Sequence, residues 1–146
     1  MVLKSEGATA LVSSAASGAD LLAQAEAEKL GLRRRVVLPF QRERFIESSV
    51  ADRPGDWVLL YNQLLDSVSA SGDLVVLEGA GGDTEAYIVL TGAILDQAQA
   101  LGSELYLPVT AVLVWDGTSH KENDLTAAFG DEARRRGLRL IEVMTL

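Results

Sequence analysis

Residues 111–117, Ala111-Val112-Leu113-Val114-Trp115-Asp116-Gly117, constrain this chain more than any other stretch. An apolar, valine-rich run ends abruptly at Asp-Gly. Four to eight such residues bounded by a turn signal read as a strand buried on both faces. Gly117 accepts positive φ and Asp116 hydrogen-bonds local backbone, so the chain turns there. Ligands of open α/β sheets sit outside the carboxyl ends of such strands. The edge at Trp115-Asp116-Gly117-Thr118 is therefore a candidate functional site.

The rest of the chain alternates similar runs with segments of helical period. Residues 1–8 read as a disordered lead-in. Thr9–Ser14 is the first strand, and the small-residue turn Ala15-Ala16-Ser17-Gly18-Ala19-Asp20 leads from it into a helix. That helix, Asp20–Leu30, carries Leu21, Leu22, Ala25 and Leu30 on one side, with Gly31 as its cap. Arg33-Arg34-Arg35 reads as a solvated basic connection into a second strand, Val36–Phe40, whose pairing Pro39 ends. Phe45, Ile46 and Val50 anchor the polar stretch after it. Trp57–Ser69 is a helix with Leu60, Leu64, Leu65 and Val68 at helical spacing and Asp56 as N-cap. A third strand, Leu74–Leu77, precedes the glycine loop 79–84. A helix over 85–101, capped by Gly102, leads to the fourth strand. His120 falls in a polar loop before a helix over 125–136 that Gly137 stops, and the last strand is 138–146. Such alternation implies a parallel sheet with helices on both faces. The expected fold is α/β, a Rossmann-like three-layer sandwich with a mainly parallel sheet of about five strands, in one domain over 1–146.

Composition narrows the chemistry. The net charge of −8 over 146 residues and a pI near 4.6 disfavour contact with a nucleic-acid backbone. No cysteine and a single histidine, His120, leave no basis for a Cys- or His-cluster metal site, and no resident cofactor is implied. No apolar run reaches the roughly 18 residues of a membrane span, and no signal peptide is visible. The cytoplasm is the expected location.

Two glycine turns join the Asp116 edge as candidates. The turn from Ser14 to Asp20 places backbone amides at a helix N-terminus, where they can cradle phosphate. It is equally read as tight strand–helix packing, with Asp20 as an N-cap or first-turn acid. The loop Glu78-Gly79-Ala80-Gly81-Gly82-Asp83-Thr84-Glu85 could wrap phosphate or ribose, or serve as surface loop with Thr84 or Asp83 as N-cap. Glu78 and Glu85 are its paired carboxylates for any acid–base role.

Several stretches, taken in order, resemble a known group. They are Ser13–Asp20, Val36–Phe40, Phe45 with Ser48-Ser49-Val50, Gly55-Asp56-Trp57, Tyr87, and Val114-Trp115-Asp116-Gly117. Together they resemble the SLOG superfamily of Rossmann-like domains, named after the DprA/Smf and LOG proteins, and most of all its branch in bacterial conflict and signalling proteins. The resemblance implies binding of a nucleotide or nucleotide-derived second messenger at the carboxyl ends of the strands. Some LOG members are phosphoribohydrolases with a PGGxGTxxE signature. Here the nearest text is Gly81-Gly82-Asp83-Thr84-Glu85, without the proline. Relatives also carry a Gly-Gly-Thr turn after the fourth strand, where this chain has Asn123-Asp124-Leu125-Thr126. The usual opening strand and helix have no counterpart in residues 1–8. The first reading is thus a ligand sensor, with Ser17, Gly18, Asp20, Gly81, Gly82, Thr84, Asp116, Gly117 and Thr118 at the site. Backbone amides would hold phosphate, and Asp20 or Asp116 would accept ribose hydroxyls. An N-glycosidic hydrolase using Glu78 or Glu85 is the alternative, and a non-catalytic assembly domain the third reading. A homo-oligomer, a partner or an upstream segment is expected to complete the sheet.

Overall fold

A computed structural model describes residues 2–16, 18–50, 57–77, 83–115 and 120–144. The chain divides into two compact units, Met1–Ala80 and Gly81–Leu146. The first runs α1 (Val2–Ser5), β1 (Ala10–Ser13), α2 (Ala19–Lys29), β2 (Arg33–Leu38), α3 (Arg42–Ser49), α4 (Trp57–Ala70) and β3 (Leu74–Val76). The second runs α5 (Asp83–Leu105), β4 (Thr110–Trp115), α6 (His120–Arg135) and β5 (Arg139–Met144). Each unit has a parallel sheet, of order β1-β2-β3 in the first and β4-β5 in the second. Among the described residues no helix is long and apolar enough to cross a membrane.

In the first unit β2 is the middle strand, in register with both neighbours: Ser13 lies opposite Val36, and Val36 opposite Leu74. Val36, Val37 and Leu38 are fully buried. Burial on both faces, expected of the 111–115 run, is thus a property of β2. In β4, Ala111 and Leu113 are buried while Val112 and Val114 are partly exposed, because one face packs on Leu95 of α5 and Ala133 of α6. Gly130 allows that approach, since a Cβ there would lie 2.8 Å from the Leu113 side chain.

The three arginines are not a solvated connection. They form the first half of β2. Alternation sends Arg34 one way, to Glu28 of α2 at 3.1 Å and to the Ser67 hydroxyl of α4 at 2.8 Å. Arg33 and Arg35 take the other face and close on Asp73, at 3.4 and 3.1 Å. Asp73 is 7% exposed. Its amide donates to the Val68 carbonyl and its carbonyl accepts the Val36 amide. One buried residue thereby joins the end of α4 and the middle of β2 through its backbone, and the first half of β2 through its carboxylate. Charged residues survive in a strand because the ion pairs compensate the desolvation.

An aromatic cluster supports the far end of β2. Phe40 and Phe45 rings lie 6.0 Å apart, and Phe45 stacks on Tyr61 at 6.1 Å. The buried Tyr61 hydroxyl donates to the Arg42 carbonyl at 2.8 Å, and burial pushes its ionisation above the ordinary phenol range.

Other boundaries shift for local reasons. Residues 2–5 form a helical turn rather than a disordered lead-in, with Leu3 buried and the Gly7 amide closing on the Lys4 carbonyl. On α2 the buried stripe is Leu21, Gln24 and Ala27, while Leu22 and Leu30 are exposed. α6 starts at His120, not near 125, so His120 lies in a helix rather than a loop. The polar residues 120–124 show no apolar period, but a helix N-terminus tolerates acids such as Glu122 and Asp124. α5 begins at Asp83, so Asp83 and Thr84 lie inside it rather than at its cap.

Gly102 does not cap α5 either, since the helix continues to Leu105. The left-handed position is Tyr106, at φ 59° and 94% exposed, with the Leu107 amide returning to the Gly102 carbonyl at 2.8 Å. Gly102 is needed for space: a Cβ would lie 2.9 Å from both the Leu107 carbonyl and a Val109 methyl. A non-glycine left-handed residue costs about 1 kcal/mol or more. Tyr106→Gly is therefore expected to stabilise the protein by about 1 kcal/mol. Gly102→Ala is expected to destabilise it by about 1–3 kcal/mol despite alanine's better helix propensity. Urea unfolding of the two variants checks both signs, and a stabilising Gly102→Ala contradicts the close approach.

Candidate functional site

Because β1, β2 and β3 are parallel, their carboxyl ends at Ser13, Leu38 and Val76 share one edge of the sheet. The described part of that edge that combines unbonded helix-start amides with buried side-chain atoms lacking a partner is the turn from β1 into α2. Gly18 is the N-cap of α2, at φ 87° and ψ −123°. That backbone conformation excludes ordinary L side chains. A Cβ on Gly18 would meet nothing within 4 Å, so backbone rather than crowding requires glycine here.

Asp20 is a first-turn acid, not the N-cap. Its carboxylate Oδ2 reaches back and accepts the Ala16 amide at 3.2 Å. The Leu21 amide donates to the Ala16 carbonyl and the Leu22 amide to that of Gly18. Among the described residues, the amides of Gly18, Ala19 and Asp20 and the second carboxylate oxygen of Asp20 have no partner. Burial pushes the Asp20 carboxyl up to about 6, against the opposing pull of the Ala16 amide.

Two side chains absent from the expected set complete the turn. Gln24 lies one helical turn beyond Asp20 and is fully buried. Its Nε2 donates to Ser13 Oγ at 2.8 Å and, more weakly, to the Arg35 carbonyl at 3.4 Å. Ser13 Oγ donates in turn to the Ser14 carbonyl at 2.7 Å. Gln24 thus ties α2 to the point where β1 becomes the turn. Its Oε1 and the hydroxyl of Ser14, a residue 5% exposed, are the buried side-chain polar atoms without a partner among the described residues. A buried polar atom without a protein partner is free to bond a water or a ligand group. Sequence reasoning missed Gln24, since a buried amide carries no hydrophobic signal.

Of the sequence-derived candidates, Gly18 and Asp20 lie together here. Ser17, Glu78, Gly81, Gly82, Asp116, Gly117 and Thr118 lie outside the described residues. Thr84 is in the first turn of α5, its side chain outside what is described, and Glu85 is exposed beside it. Among the described residues no group of three or more His, Asp or Glu could hold a metal ion. No family model, curated protein or solved structure matches the chain.

The raised Asp20 ionisation gives a signed expectation. Between about pH 4 and 6 the folded state binds this proton more tightly than the unfolded chain. Asp20 therefore lowers stability as pH rises through that window, and the full penalty applies above about 6. Asp20→Asn is expected to remove that slope and to add roughly 1–2 kcal/mol at pH 7, net of the lost helix-dipole term. Urea unfolding from pH 4 to 7.5 checks it; equal slopes in the two proteins contradict a raised Asp20 ionisation at this turn.

Proposed function

We propose that the chain binds a nucleotide or a nucleotide-derived second messenger as a ligand sensor, at the carboxyl edge of a Rossmann-like parallel sheet. The observation that carries this reading is the β1–α2 turn, where the amides of Gly18, Ala19 and Asp20 and the buried Ser14 hydroxyl have no partner. Helix-start amides after a parallel strand suit anionic and hydroxyl-rich ligands. Ser17 falls in the same stretch of sequence, and Gly81, Gly82, Thr84, Asp116, Gly117 and Thr118 remain candidate ligand-binding residues of the second unit. The resemblance to SLOG domains supports the same class of ligand. The absent PGGxGTxxE text favours sensing over hydrolysis, with a LOG-like phosphoribohydrolase as the alternative and a non-catalytic assembly domain as the third reading.

A thermal-shift screen against nucleotides and cyclic nucleotides tests the proposal. A ligand at a hundredfold excess over its Kd stabilises by about 2.7 kcal/mol, and the shift should vanish in a folded Gly18→Val variant. No shift with any nucleotide, or one unchanged by Gly18→Val, contradicts it. A nucleoside monophosphate should survive prolonged incubation. Release of free base above the blank, abolished by Glu85→Ala, establishes the hydrolase instead.

Assembly belongs to the same proposal. Among the described residues β1 pairs with β2 alone, and an open strand edge is a template for another chain. Light scattering coupled to size exclusion is expected to show mass rising with concentration above 15.6 kDa. A constant monomer mass contradicts self-association.

A further inference from the structure

We infer that the outer face of α5 and the turn after it form the contact between two copies of this chain, packed antiparallel about a two-fold axis near the middle of the helix. The surface lies wholly in the second unit. The contact is independent of the nucleotide reading and of the open β1 edge.

Two apolar patches stand at opposite ends of one helix. Ile88 and Val89, near the start of α5, are 59% and 60% exposed. Tyr106 and Leu107, just past its end, are 94% and 42% exposed. Between them, at helical steps of four and three from Ile88, lie Gly92, Asp96, Gln99 and Ser103 on one face. An isologous contact needs a patch complementary to itself. This face meets that condition. Turned end over end, with Val89 against Tyr106 of the second copy, it sets Ile88 against Leu107, Gly92 against Ser103 and Asp96 against Gln99. Apolar groups meet apolar groups at both ends, and the small pair Gly92 and Ser103 lets the helices close. At the centre an acceptor meets a donor. Arg136 Nη1 donates to Asp96 Oδ1 at 2.8 Å and to Gln99 Oε1 at 2.9 Å. The second Asp96 oxygen then serves as acceptor and Gln99 Nε2 as donor across the axis. The Arg136 cation compensates each carboxylate where the copies approach.

Tyr106 supplies an independent observation. Its left-handed backbone, at φ 59°, carries a cost that glycine would spare. The ring faces solvent and recovers none of that cost by packing within the chain. Its position is nevertheless fixed. Gly102 lets Leu107 and Val109 close on the helix, with the Leu107 amide on the Gly102 carbonyl. Pro108 holds Leu107 to extended backbone. A rigid, exposed tyrosine is the residue type that anchors protein contacts. Against Val89 of a second copy the ring gains the packing that its own chain does not give it.

The experiment uses the full chain, which has no cysteine of its own, and single variants Val89→Cys and Tyr106→Cys. The two positions are about 25 Å apart along the helix, and the two-fold holds each as far from its own counterpart. A disulfide needs Cα atoms within about 7 Å. Mild oxidation of a one-to-one mixture is therefore expected to give the mixed disulfide dimer at least about tenfold faster than either variant alone cross-links. Light scattering coupled to size exclusion is the second readout. Ile88→Lys is expected to weaken self-association at least about tenfold, and mixing it with Leu107→Glu to restore it. All four positions are exposed, so the variants keep the fold, which circular dichroism checks. A mass that stays at 15.6 kDa at every concentration overturns this contact together with self-association through β1. A mass that rises equally in wild type and Ile88→Lys, or a mixture that cross-links no faster than its parts, overturns the α5 contact and leaves the β1 edge. Neither result touches the nucleotide reading, which the thermal-shift screen decides.

Discussion

The ion cluster of Arg33 and Arg35 on Asp73 is the interaction on which the first unit depends. It lets the charged half of β2 enter the sheet as a strand, so that Val36, Val37 and Leu38 continue it through the interior. Asp73 also fixes the start of β3, through its backbone bonds to Val68 and Val36. If β2 is held, β1 and β3 have a template on either side. Their carboxyl ends then emerge on one edge. Removing one partner from a buried pair typically costs several kcal/mol, because the remaining charge stays desolvated.

Position on that edge explains the polarity of the β1–α2 turn. A helix starting directly after a strand leaves its first amides unbonded. Here Asp20 answers only the Ala16 amide, from inside the helix, and Gly18 supplies a backbone conformation that other residues resist. The turn is anchored from beneath by Gln24, not by apolar packing alone. Buried polar anchoring of this kind fixes geometry more sharply than apolar contact, provided the network's open valences are met. Ser14 and Gln24 still hold one open valence each, which is why this place and not another bears the functional proposal.

Much of the fold was legible from periodicity. The five strand cores and the four longer helices follow from apolar runs and 3.6-residue spacing, and Gly31 and Gly137 mark helix ends as their positive φ values require. What stayed hidden was tertiary. Arg33–Arg35 look like a surface linker until Asp73, 38 residues beyond Arg35, supplies the countercharge. Gly102 looks like a cap until the returning chain at Leu107 and Val109 shows why it must be small. Tyr106 gives no sign in sequence of its left-handed backbone. The small-residue turn marked Gly18 and Asp20 as candidates, with tight strand–helix packing as the equal reading. Of the expected stripe Leu21, Leu22, Ala25 and Leu30, Leu21 is buried and Leu22 and Leu30 are exposed, while Gln24 is buried unannounced because an amide carries no hydrophobic signal.

The central claim is that the β1–α2 turn is where ligand meets this protein. Hydrogen–deuterium exchange on the full chain, with and without a saturating nucleotide from the thermal-shift screen, tests it most directly. The account predicts that protection rises first and most in residues 14–22, where the amides of Gly18, Ala19 and Asp20 gain partners. Protection confined to other segments, with residues 14–22 exchanging as they do in the free protein, would contradict it.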